Sequence, residues 1–104
     1  MKLRIPKELK IGGFYWKVEE SLEVGIEGNC YGSLHYTTQT IYLDPRTTLQ
    51  KKQQAFIHEV LHAIWWQTSL SKTKTLIEEE IIQAVSHMLY QVLLENDLID
   101  NVSE

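Results

Sequence analysis

From residue 45 onward the apolar positions fall three and four apart. Leu49, Phe56, Ile57, Val60, Leu61, Ile64 and Trp65 have the spacing of one buried helix face. Thr47-Thr48-Leu49-Gln50 places a hydroxyl residue and a glutamine at capping distance for the start of that helix. The polar stretch 68–74 reads as a loop. A second helix is predicted from residue 75 to about residue 95, with Ile77, Ile81, Ile82, Val85, Met88, Leu89 and Val92 on its apolar stripe. Thr75 and Glu78 match a capping box, which gives Glu78 a structural role. Ahead of Pro45 the pattern differs. Glycines at 12, 13, 25, 28 and 32 separate short runs rich in aromatic and β-branched residues at 14–18, 31–36 and 40–43, which read as strands. Asp44-Pro45 stops the last of them, because proline has no N–H with which to continue a ladder. The first ten residues, with Pro6 and several lysines, read as an edge strand or a loose arm, and 97–104 as a frayed, solvated end. The expected fold is α+β: a small antiparallel sheet of about three strands followed by two long antiparallel helices.

A chain of 104 residues is one domain, 1–104. Its 43% apolar and 23% charged residues suit a globular core. The formal charge of −4 argues against a protein that holds nucleic acid or an anionic membrane by bulk electrostatics. The stretch Ala63-Ile64-Trp65-Trp66 is far too short to span a bilayer. Lys7, Glu8 and Lys10 interrupt any signal-peptide layout at the start. A single cysteine, Cys30, leaves no internal disulfide and suits a reducing compartment, so a cytoplasmic location is expected.

Composition carries no chemistry, but His58-Glu59-Val60-Leu61-His62 does. Histidines four apart lie on one helix face, so both imidazoles reach one ion. Zinc accepts imidazole nitrogen, and a helix holds the pair without loop entropy. Glu59 then stands beside the metal, placed to take a proton from a zinc-bound water and pass it to a leaving amine. With this composition about 0.02 such matches arise by chance in the whole chain, so the motif is not an accident of histidine content. On a helical wheel the two histidines lie at the edge of the apolar stripe, as a metal at the floor of a cleft requires. A catalytic zinc needs a third protein ligand and an open position for water. Cys30 lies 28 residues before His58; His35 and His87 are the other histidines. The second helix offers Glu78-Glu79-Glu80, of which Glu79 and Glu80 flank the apolar stripe.

This histidine–glutamate pair of helices resembles the gluzincin branch of zinc metallopeptidases, in particular the minigluzincins and short phage- or prophage-encoded metallopeptidases. The resemblance covers most of the chain. It implies a glutamate helix whose Glu79 or Glu80 completes the zinc site with His58 and His62, Glu79 being favoured by the apolar residues that follow it. It implies an edge-strand region within 28–43 that lays a peptide substrate along the cleft. The function so implied is hydrolysis of peptide bonds by water activated by Zn2+ and Glu59, with a peptide or protein as partner. A competing reading keeps the metal but not the catalysis, making the chain a protein-interaction module such as a phage regulator; the retained Glu59 favours the enzyme. His87, Tyr36 and Tyr90 are candidates for stabilising a developing oxyanion, and Cys30 for blocking the zinc. Each of these three residue types also fills ordinary surface, sheet and core positions.

Overall fold

The computed structural model describes residues 2–26, 31–68 and 78–100. Its element order is β1 (Lys2–Leu3), β2 (Glu8–Ile11), β3 (Phe14–Glu20), α1 (Glu23–Ile26), β4 (Gly32–His35), β5 (Thr40–Leu43), α2 (Leu49–Gln67), α3 (Glu78–Glu95) and β6 (Ile99–Asp100). The fold is α+β, with a four-stranded mixed sheet in the order β2-β3-β5-β4 and two long helices. This corrects the expectation of about three antiparallel strands. β2 pairs antiparallel with β3, and β4 with β5, but β3 and β5 run parallel, with Lys17 opposite Thr40 and Glu20 opposite Leu43.

The physical reasons are local. Gly12 has a φ of +60°, a left-handed conformation that glycine adopts without strain. Gly12-Gly13 therefore closes a tight hairpin, and of the edge strand and loose arm expected before it, residues 8–11 form the edge strand. Leu9 and Ile11 on that strand are buried. β5 is buried at three of its four positions, the mark of a central strand rather than a half-solvated one. Between β3 and β5 come α1 and β4, and β4 lies at the sheet's edge. A connection of this length is what a parallel neighbour requires. The turn from β4 back into β5 has Gln39 at φ 47°.

One face of the sheet carries the core. Leu9, Ile11, Trp16, Val18, Ile41 and Leu43 pack against Phe56, Val60, Ala63 and Ile64 of α2 and Val92 of α3, all buried. On β3, Tyr15, Lys17 and Glu19 alternate outward to solvent. Thr48, not Thr47, caps α2, its hydroxyl accepting from the Lys51 N–H at 3.2 Å. Leu49 and Leu61 stand exposed, while Ala63 and Glu59 take the buried side. The stripe is thus rotated slightly from the one predicted.

Amide side chains fasten the helices to the β2–β3 hairpin. Gln67 accepts from the Trp16 indole N–H at 2.6 Å and donates to the Ile11 carbonyl at 2.8 Å. Gln91 accepts from the Gly12 N–H at 2.8 Å, and Asn96 accepts from the Lys10 N–H and donates to the Lys10 carbonyl at 2.8 Å. These amides occupy the backbone groups of edge strand β2 as a neighbouring strand would. Residues 97–100 also depart from the frayed tail expected. Leu98 is fully buried, and β6 pairs with β1, Leu3 opposite Ile99. Residues 101–104 lie outside the described residues, as do the loop and capping positions at 69–77. Among the described residues no helix is long and apolar enough to cross a membrane.

Candidate metal centre

α2 carries His58 and His62 on its exposed side, one turn apart. Their Nε2 atoms approach to 3.1 Å, and the rings meet edge to face at 4.7 Å between centroids. Two imidazole nitrogens bound to one tetrahedral zinc stand about 3.3 Å apart, from bond lengths of about 2.0–2.1 Å. The observed separation is close to that value, so the pair fits a shared ion in geometry and in donor type. With Leu61 and Trp65 the histidines line an open depression of about 280 Å³.

Glu59 lies about 100° around the helix from His58, and that rotation takes it out of solvent. It is 7% exposed. Its Cγ sits under the backbone of β4, so close that a Cβ on Gly32 would lie 3.3 Å from it. Gly32 is the residue that lets the strand pass over the glutamate. Burial pushes the Glu59 carboxyl above the ordinary carboxylate range, while the charges of His58 and His62 pull it back down. Among the described residues no hydrogen bond or ion pair reaches that carboxylate, and no fully buried side-chain oxygen or nitrogen lacks a partner. Its oxygens therefore open into the adjoining cleft. A desolvated carboxylate beside a histidine pair is a base poised to accept a proton.

That cleft, of about 350 Å³, lies between the β4 edge and α2 and is lined by Tyr31, Gly32, Lys51, Gln54, Ala55, His58 and Glu59. Tyr31, Lys51 and Gln54 did not emerge from the sequence reading. Lys51, Gln54 and Ala55 precede His58 by seven, four and three residues, so following the histidine's helix face back toward its N-terminus finds them. Tyr31 carried no such signal, since only tertiary structure brings the start of β4 to α2.

The remaining candidates divide. Glu80 is exposed and shares a depression with Thr68, Ala84, His87 and Met88, apart from the residues that line the depression at His58 and His62. Glu79 stands in the first turn of α3; its side chain and that of Glu78 lie outside the described ones, as do Cys30 and Gly28 altogether. Among the described residues no three histidine, cysteine, aspartate or glutamate side chains form a group able to hold a metal ion. His35 rests against the Tyr42 ring at 4.8 Å. Tyr36 packs on Trp66 at 5.1 Å, and Trp66 meets the buried Trp16 edge-on. Tyr90 is exposed on α3. Compared with family models, curated proteins and solved structures, the chain has no match.

Proposed function

We propose that the chain is a zinc-dependent peptidase that hydrolyses peptide bonds in the cleft between β4 and α2. The observation that carries the reading is the pairing of two converging imidazoles, 3.1 Å apart, with a buried, desolvated Glu59 one residue along the same helix. Ligands alone would serve a structural ion; a carboxylate held beside them at an energetic cost points to proton transfer. His58 and His62 supply two ligands, and Glu79 is proposed as the third. Glu80 is the weaker alternative because its side chain faces the depression it shares with His87. When bound, zinc supplies Lewis acidity and makes water a nucleophile near neutral pH. Glu59 takes the proton of the attacking water and delivers it to the departing amine nitrogen. The β4 edge, with one side paired to β5, offers unpaired backbone groups along which an extended peptide aligns. A cytoplasmic location belongs to the same reading.

Glu80 lines a different depression from the histidine pair, which favours a second reading, a metal-holding interaction module without catalysis. Glu59→Gln separates the two. With zinc content held equal, the substitution is expected to lower cleavage of an unfolded protein substrate by roughly 10²–10⁴-fold, the contribution of a general base. Undiminished cleavage by the variant would remove the proposed mechanism, and no cleavage by the zinc-loaded wild type would leave the module.

A further inference from the structure

We propose that the cleft selects an extended peptide bearing an acidic side chain, seated on the ammonium of Lys51 with the Tyr31 hydroxyl beside it. The inference deepens the peptidase reading and rests on it for where the peptide lies. Lys51 Nζ is 3.2 Å from the Tyr31 hydroxyl and 4.9 Å from the centre of its ring. Both contacts hold the ammonium at the cleft wall, and neither neutralises it. Arg4, Lys10, Lys52 and Arg46 are paired with Asp97, Glu95, Glu20 and Asp44. Lys7 and Lys17 are in no ion pair among the described residues, but they line a different depression, so Lys51 is the cation of this cleft. No carboxylate of the described residues lies within ion-pair distance of Lys51. In a chain of net charge −4, a cation held by a neutral partner at a cleft is a local feature rather than the overflow of a basic surface.

The geometry also gives a register. Lys51 precedes His58 by seven residues, two helical turns or about 10 Å along the axis. An extended chain advances about 3.3 Å per residue, so the acidic side chain falls about three residues from the bond at the histidine pair. Gln54, between the two on the cleft wall, supplies an amide donor for the intervening peptide carbonyls.

The test uses two pools of fluorescent decapeptides, identical except that one fixed position holds Glu in one pool and Gln in the other. Binding to the zinc-loaded Glu59→Gln chain is read by fluorescence polarisation, and cleavage is followed separately with wild type. The Glu pool is expected to bind about fivefold more tightly, the order an incompletely screened ion pair supplies. Adding Lys51→Met is expected to erase the preference, and Lys51→Glu to turn it toward a Lys-containing pool. Equal binding of the two pools, binding of neither, or a preference untouched by Lys51→Met overturns the proposal. An acidic preference without cleavage by wild type keeps this inference and removes the peptidase reading. Cleavage without the preference does the reverse.

Discussion

Neighbouring positions in one helix serve opposite ends here. His58 is exposed and Glu59 buried, because successive residues turn about 100° and β4 covers only one of the two directions. The histidine pair and the glutamate were legible in the sequence, since a four-residue spacing on an α-helix fixes its own geometry. Tyr31 was not, because its place beside Lys51 depends on the hydrogen bond from the Asp44 N–H to the Tyr31 carbonyl at 2.9 Å, a contact across thirteen residues of chain. Asp44 anchors that corner. Its carboxylate accepts from the Arg46 guanidinium and from the Arg46 backbone N–H, which together hold its pKa below the ordinary value. A carboxyl depressed by folding contributes stability that is present above its unfolded pKa of about 3.9 and is lost as pH falls through the lower, folded value. Asp44→Asn is therefore expected to flatten the acid limb of a melting-temperature profile below about pH 4. An unchanged acid limb in thermal melts across that range would assign the acid sensitivity elsewhere.

At the scale of elements, the strands 14–18 and 40–43 were readable from composition, and α2 from its periodicity. Their pairing was not. Residues 40–43 look alike in the sequence whether they lie at an edge or at the centre, and only the near-continuous burial of Thr40, Ile41 and Leu43 distinguishes the two. The hairpin at Gly12-Gly13 was written in the sequence as a glycine pair, while the lysines and Pro6 before it left an edge strand and a loose arm both open; residues 8–11 are the edge strand. What holds that edge strand is remote: Gln67, Gln91 and Asn96 supply outer hydrogen bonds to residues 10–12 from 56 to 86 residues away. Gln67→Leu removes both bonds of that amide and leaves the buried Trp16 indole N–H without its acceptor, an expected loss of about 1–3 kcal/mol. Asn96→Ala is expected to cost about 1–2 kcal/mol, and its effect combined with Gln91→Ala to be non-additive, because both amides donate to the Lys10 carbonyl. Urea unfolding of the two single variants and the double variant measures this directly.

For the whole molecule, the sheet presents one face to the helices and lays its β4 edge over Glu59, so the protein's only buried glutamate among the described residues is also the one beside the histidine pair. A small domain has little stability to spare, and the burial that raises the Glu59 pKa works against folding of its charged form. The proposed base role at that place would account for it. The central claim is that the site holds zinc, and elemental analysis of dialysed protein tests it most directly. The account predicts about one zinc per chain in wild type and in Glu80→Ala, with loss in His58→Ala and in Glu79→Ala. Wild-type protein that retains no zinc after being offered the metal, or His58→Ala that retains as much as wild type, would contradict it.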